Sequence, residues 1–130
     1  MSGADVLFDT NAFIGWVKRD ASLARVSVAW TAPAISLFTL GELRFGALKS
    51  ARPEQNRATV EAARPSFLPL SPDERTADIY ATVRFELRRL GKPIPENDLW
   101  IAALARQYGL VLLTRDGHFR AVPDLTVTSW

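Results

Sequence analysis

The 130-residue sequence contains no cysteine and only one histidine. The lack of cysteine excludes disulfides, thiolate metal ligands and a cysteine nucleophile. No apolar run approaches the roughly 20 residues that are needed to cross a bilayer. The N-terminus also lacks the basic segment and apolar stretch of a secretion signal. We therefore expect a cytoplasmic protein with no membrane contact.

The length and apolar content of the chain are those of one folded domain, residues 1–130. A single hydrophobic core usually serves about 100 to 150 residues, and 48% of the residues here are apolar. The 16 basic residues exceed the 14 acidic ones only slightly, for a net charge of +2. A charge this small is a weak indication of polyanion binding.

Short apolar segments alternate with helical patterns along the chain. Strands are expected at 5–8, 34–38, 67–70, 110–114 and 126–130. Helices are expected at 11–18, 21–30, 39–50, 51–64, 71–91 and 96–109. Pro69 restricts the third strand to a sheet edge or an irregular path. Strands that are apolar on both faces and alternate with helices indicate a three-layer α/β/α fold with a short, mostly parallel central sheet.

Two helix starts carry the pattern of a capping box, in which a hydroxyl residue is followed three positions later by Glu. Ser71 with Glu74 is expected to cap the 71–91 helix, and Gly91 is expected to end it. Thr39 with Glu42 fits the same pattern at the start of the 39–50 helix.

Four acidic residues lie at the carboxyl end of an expected strand or at the start of an expected helix: Asp9, Glu42, Asp98 and Asp116. Taken singly, each fits a helix cap, a first-turn acid or a turn residue. In a parallel sheet, however, these junctions converge on one crevice. Four carboxylates there would repel one another unless they were protonated or neutralised by a cation. Oxygen ligands without cysteine indicate Mg²⁺, or Mn²⁺ in its place, rather than zinc.

The charge balance of the rest of the chain agrees with such a site. Without these four acids, 16 basic residues face 10 acidic ones, a balance of +6. An acidic pocket would then lie in a surface that otherwise attracts phosphate groups.

Four segments of the chain resemble, in order and spacing, the motifs of the PIN-domain ribonucleases: LFDTNAFI, FTLGELRFG, IPENDLWIAALA and LLTRDGHF. The similarity is greatest to the VapC-like toxins of bacterial toxin–antitoxin pairs, and it extends over about residues 5–120. The resemblance implies a PIN-like fold, a homodimer, an RNA substrate and inhibition by a cognate antitoxin protein.

The four acids match the catalytic metal site of that family. The resemblance favours Asp9, Asp98 and Asp116 as direct or water-mediated ligands. Glu42 would ligate the metal or orient the attacking water. Three polar residues match or adjoin positions that support such a site: Asn11, Asn97 and Thr114. Arg115 and Arg120 flank the last acidic motif and are expected to approach the bound RNA strand.

The expected activity is Mg²⁺-dependent endoribonuclease cleavage, in which water activated by the metal attacks the phosphodiester. The products would carry a 5′-phosphate and a 3′-hydroxyl. A metal-free mechanism with two histidines is impossible, because His118 is the only histidine. His118 itself is expected as a surface or turn residue outside the catalytic set.

Two other classes of function compete with this interpretation. The chain could be a non-catalytic α/β partner of a DNA-binding antitoxin or repressor, with the four acids serving only as caps and turns. A phosphatase or phosphotransferase is disfavoured because residue 11 is Asn, so that the Asp-x-Asp nucleophile motif is missing. Walker and Gly-x-Gly-x-x-Gly motifs are also missing.

Overall fold

The computed structural model describes residues 3–130, and its centre is a sheet of five short strands. In chain order these are β1 (Val6–Phe8), β2 (Pro33–Ser36), β3 (Leu68–Leu70), β4 (Val111–Leu113) and β5 (Val127–Thr128). The spatial order is β3-β2-β1-β4-β5, and every neighbouring pair is parallel. All carboxyl ends therefore lie at the same edge, and Pro69 lies in an edge strand as expected.

Six α-helices surround the sheet: α1 (Thr10–Val17), α2 (Ala21–Ser27), α3 (Leu37–Leu48), α4 (Pro53–Ala63), α5 (Glu74–Arg89) and α6 (Glu96–Gln107). Two 3-10 helices span Arg64–Ser66 and Gly117–Ala121. The second helix is three residues shorter than expected, because it ends at Ser27. Within residues 3–130 we find no helix with the length and apolar character of a membrane span.

Alternating side chains of β1 face two separate apolar layers. Leu7 packs in a cluster with residues of α5 and α6, including Leu87 and Leu104. Val6 and Phe8 pack in a second cluster with residues of α1 to α4. Because side chains of a strand alternate between faces, the sheet is covered on both sides. This arrangement confirms the three-layer α/β/α fold.

Helix α6 is buried through its middle. All five residues from Ile101 to Ala105 are at most 1% exposed, and three of them are alanines whose small side chains permit close packing of the helix. Burial on all sides fixes a helix more firmly than burial of one face. The N-terminal turn of α6, which carries Asp98, is thereby held at a defined place.

Helix α3 begins two residues earlier than the sequence pattern indicated. Ser36, the last residue of β2, is its N-cap and accepts a hydrogen bond from the Thr39 N–H at 3.0 Å. The strand expected at 34–38 was therefore too long, and Thr39 with Glu42 is not a capping box. Glu42 lies in the second turn of α3. The buried hydroxyl of Ser36 comes first along the chain and already satisfies the free N–H group.

The capping box of α5 was also placed wrongly at Ser71 and Glu74. Asp73 is the N-cap, and its Oδ1 accepts a hydrogen bond from the Thr76 N–H at 3.1 Å. The Thr76 hydroxyl in turn accepts the Asp73 N–H at 2.9 Å and donates to Oε1 of Gln107. Gln107 also donates to Asp73 at 2.9 Å. This network ties the start of α5 to the end of α6, a link that a local sequence pattern does not contain.

We predict that Thr76→Val lowers the free energy of unfolding by about 1 to 3 kcal/mol, because it leaves the Asp73 N–H and the side-chain carbonyl of Gln107, which are partly buried, without their partner. Thr82→Val on the same helix is the matched control, since its hydroxyl bonds only to the Asp78 carbonyl on the exposed face. The control should stay within about 0.5 kcal/mol of wild type. Urea denaturation measures both, and equal effects would contradict the proposed network.

Candidate active site

Asp9 is a buried carboxylate at the carboxyl end of the central strand. It follows β1 directly, is 5% exposed and forms the N-cap of α1. Its Oδ1 accepts the Ala12 N–H at 2.8 Å, and its Oδ2 accepts the hydroxyl of Thr114. Asp9 therefore does cap a helix, and both of its oxygens are held in a fixed orientation at the sheet edge.

Thr114 connects the ends of two neighbouring strands. It follows β4, which pairs with β1 so that Phe8 lies opposite Leu113, and the Asp9 N–H donates to the Leu113 carbonyl at 3.2 Å. The Thr114 hydroxyl donates to Asp9 and also accepts the N–H of Asp116 at 2.9 Å. One buried hydroxyl therefore fixes the relative positions of Asp9 and the Asp116 turn.

Asp98, Asp116 and His118 form the tightest group of candidate ligands in residues 3–130. Their ligand atoms all lie within 4.8 Å of one another. Nδ1 of His118 lies 2.9 Å from Oδ1 of Asp116 and 3.4 Å from Oδ2 of Asp98. Asp98 is 17% exposed and Asp116 is 31% exposed. The start of α6 and the turn after β4 thus meet at one point.

The pKa of Asp98 is raised by burial and by the neighbouring carboxylates. This pKa rises from the ordinary value of 3.8 to about 6. Burial makes the largest contribution, the negative charges of Asp116 and Glu42 add to it, and His118 opposes it. Asp98 consequently holds a proton far more readily than an exposed aspartate does.

Burial likewise raises the pKa of Asp9 above its ordinary value. The hydrogen bonds from Thr114 and Ala12 lower it, whereas the charges of Asp116 and Glu42 add to the increase. Glu42 thus acts electrostatically on both Asp9 and Asp98, although it lies outside the tight group. Asp116 and Glu42 therefore both act on Asp9 and on Asp98, so that electrostatic interactions link the four acids expected from the sequence.

Neither of the two asparagines that were expected to support the acids, Asn11 and Asn97, makes the contact that was predicted for it. Asn11 is exposed, and within residues 3–130 it makes no hydrogen bond to Asp9, whose oxygens are bonded elsewhere. Asn97 is also exposed and does not cap α6, because Pro95 is the N-cap and supplies no side-chain bond.

The side chain of Arg115 contacts Trp130. Its Nε donates to the Trp130 carbonyl at 2.8 Å, and its guanidinium lies 4.6 Å from the centre of the Trp130 ring. Arg120 is exposed on the 3-10 helix that follows Asp116. Of the two arginines that were expected to contact RNA, Arg120 is therefore the more available for binding.

His118, expected only as a surface or turn residue, lies instead against two of the acids. The sequence does contain a signal for this placement, the spacing Asp116–Gly117–His118. Asp116 caps the 3-10 helix by accepting the His118 N–H at 2.9 Å. This cap folds the chain so that the imidazole lies over the carboxylate that precedes it.

A family model described as PIN domain matches residues 6–125. The match covers nearly the whole chain, so the chain belongs to the PIN-domain family.

Curated relatives agree with this assignment. Ribonuclease VapC4 of Mycobacterium tuberculosis is 36% identical over 125 residues, which cover 93% of each chain. The tRNA(fMet)-specific endonuclease VapC of Salmonella typhimurium is 33% identical over 127 residues, covering 95% of this chain and 96% of that one. The resemblance to VapC proteins that the motifs indicate is thereby confirmed.

Solved structures show the same likeness in three dimensions. The DNA-bound VapBC complex from Salmonella typhimurium contains a chain that matches with a TM-score of 0.88 and 32% identity, covering 98% of both chains. The VapBC2 complex from Rickettsia felis, bound to a DNA fragment from its promoter, matches with a TM-score of 0.87 and 26% identity over 96% of this chain and 98% of that one.

The raised pKa of Asp98 predicts a pH-dependent stability difference in the metal-free protein. A folded-state pKa near 6, above the ordinary 3.8, favours folding most below pH 4, and this contribution is lost as the pH rises through 6. Asp98→Asn removes the titration. The variant should therefore gain stability relative to wild type from pH 4 to 7, by on the order of 2 kcal/mol.

Urea denaturation in EDTA across this pH range measures the difference. Asp20→Asn is the matched control, because Asp20 caps α2 away from the acidic pocket and Asn caps equally well. The stability of Asp98→Asn relative to wild type should rise with pH. If it stays constant or falls as the pH increases, the proposed crowding of the acids is contradicted.

Proposed function

We propose that this protein is a Mg²⁺-dependent endoribonuclease and the toxin of a toxin–antitoxin pair. The observation that carries the proposal is the approach of Asp9, Asp98 and Asp116 at the carboxyl edge of the sheet, where Thr114 joins Asp9 to the Asp116 turn and His118 lies against both Asp116 and Asp98. Glu42 is near enough to raise the pKa of Asp9 and of Asp98. The names of the VapC relatives, ribonuclease and endonuclease, support the reaction class.

The donor set fits a hard divalent cation. The pocket offers carboxylate oxygens and one imidazole, and the chain has no thiol. Mg²⁺ and Mn²⁺ prefer oxygen ligands. The raised pKa values of Asp9 and Asp98 also support a cation, because a positive charge would offset the burial of the charged carboxylates and the repulsion between them. Asp9, Asp98 and Asp116 would hold the metal, with Glu42 beside them.

A bound divalent cation supplies Lewis acidity, which lowers the pKa of water and offsets charge on the phosphate. The protein supplies a fixed geometry for that chemistry. Asp9 cannot turn away because Ala12 and Thr114 bond both of its oxygens. Glu42, which lies outside the group formed by Asp98, Asp116 and His118, would accept a hydrogen bond from the attacking water and orient it towards phosphorus.

Binding of RNA needs positive charge near this negative pocket. Arg120 lies on the 3-10 helix that begins directly after Asp116 and is exposed. Its guanidinium can contact the phosphate next to the one being cleaved, since Arg forms paired hydrogen bonds with phosphate oxygens. Arg115 would add a second charge only if its contacts with Trp130 were broken.

A cognate antitoxin is the second partner of this proposal. An apolar groove of about 360 Å³ lies between α1, α3 and α4, and Phe13, Leu43 and Val60 are among the residues lining it. Glu42 lines the same groove, so an apolar segment bound there would reach the active site. The VapBC complexes among the solved neighbours support such a partner.

Homodimer formation remains a prediction. Large apolar side chains are exposed on several helices, among them Phe45 and Leu48 on α3, Phe85 on α5, and Leu90 at the C-cap of α5. Apolar surface of this kind is typical of an interaction surface when it is contiguous.

The test is cleavage of end-labelled RNA by purified protein in Mg²⁺ and in EDTA. Wild type should cleave only with the metal and leave 5′-phosphate and 3′-hydroxyl ends. Asp9→Asn, Glu42→Gln, Asp98→Asn and Asp116→Asn should each reduce the rate by at least about tenfold, because disturbing a metal site typically costs 10- to 100-fold in activity.

Asp20→Asn again serves as the control and should cleave at the wild-type rate. Cleavage in EDTA, or fresh products with a 2′,3′-cyclic phosphate, would refute the metal-dependent attack by water. If wild type binds Mg²⁺ yet cleaves no RNA, the non-catalytic partner of a DNA-binding complex becomes the better interpretation.

A further inference from the structure

His118 presents a nitrogen to the same space that the carboxylates face. Its Nδ1 lies 2.9 Å from Asp116 and 3.4 Å from Asp98, on different elements of the fold. The backbone N–H of His118 is bonded to Asp116, so the turn itself directs the ring towards the acids. The ring is 54% exposed and has room to adjust when the pocket is occupied.

The spacing of these atoms is that of neighbouring ligands around a small cation. Ligand atoms about 2.1 Å from an octahedral ion, at right angles to one another, lie about 3 Å apart. The 2.9 Å between His118 Nδ1 and Asp116 Oδ1 equals such an edge within a tenth of an ångström or so. The 3.4 Å to Asp98 requires only a small movement of an exposed ring.

We propose that His118 is a direct ligand, through Nδ1, of the cation that the proposed function places between Asp98 and Asp116. The site would then be a mixed nitrogen and oxygen site rather than one of carboxylates alone. Both ions prefer oxygen ligands, but Mn²⁺, as a first-row transition metal, accepts an imidazole more readily than Mg²⁺ does. The histidine therefore biases the pocket towards Mn²⁺ over Mg²⁺. This inference rests on the proposed function, since it requires that the pocket binds a divalent cation.

The single histidine of the chain makes the test unusually direct. In Mn²⁺-loaded protein freed of any histidine tag, electron spin echo envelope modulation should detect the coupling of one directly bound imidazole ¹⁴N. Because the sequence contains one histidine, that signal has a single source. Labelling with ¹⁵N-histidine should replace the ¹⁴N pattern by a ¹⁵N pattern, and wild-type protein suffices for this measurement.

Metal titration of His118→Ala provides the second measurement. Loss of even an outer partner of a metal ligand costs roughly 10- to 100-fold in affinity, so the variant should bind Mn²⁺ at least about tenfold more weakly. Mg²⁺ binding, the matched control in the same variant, should weaken by less than about threefold, given the oxygen preference of that ion. Circular dichroism of the metal-free variant verifies that it is folded.

The outcomes separate this inference from the proposed function. Nitrogen coupling together with a selective loss of Mn²⁺ affinity supports the ligand role of His118. Tight Mn²⁺ binding without nitrogen coupling, or an unchanged Mn²⁺ affinity in His118→Ala, overturns that role and leaves the carboxylate site intact. Nitrogen coupling with equal losses for both ions overturns the bias towards Mn²⁺. If wild type binds neither ion, both this inference and the metal-dependent function are wrong.

Discussion

Repulsion between carboxylates in a confined, partly buried space is the constraint on which this structure depends. Burial disfavours the charged form of each acid, and neighbouring acids of the same sign add to the cost. The pKa of Asp98 is accordingly raised to about 6, and that of Asp9 is raised as well. Such a cost of burying several carboxylates together is explained if a bound cation offsets their charge.

The fold maintains the arrangement by making three of the four acids part of a structural junction. Asp9 caps α1, Asp116 caps the 3-10 helix, and Asp98 sits in the first turn of the tightly packed helix α6. The hydroxyl of Thr114 joins the first two of these. A structural role is therefore compatible with the proposed role as a metal ligand in the same residue, and a cap need not exclude a ligand.

The sequence predicts most of the sheet and the pocket because both follow from local patterns. Buried strands such as 110–114 are plain apolar runs, and acids at their carboxyl ends must meet in a parallel sheet. The caps at Ser36 and Asp73 were missed because more than one polar residue near the start of each helix could serve as its N-cap. Tertiary contacts, such as that of Gln107 with Asp73, determine which residue does so. His118 lies in an exposed turn as expected, but its contact with Asp98 was not predicted, because that contact depends on how the turn after Asp116 meets α6.

The most direct test of the shared pocket is a crystal structure of the protein with Mn²⁺, with anomalous scattering used to locate the ion. The account predicts an anomalous peak at the carboxyl edge of the sheet, within about 2.5 Å of oxygens from more than one of Asp9, Asp98 and Asp116. A well-ordered crystal grown in saturating Mn²⁺ with no peak in that pocket, or with the ion bound on another face, would contradict it.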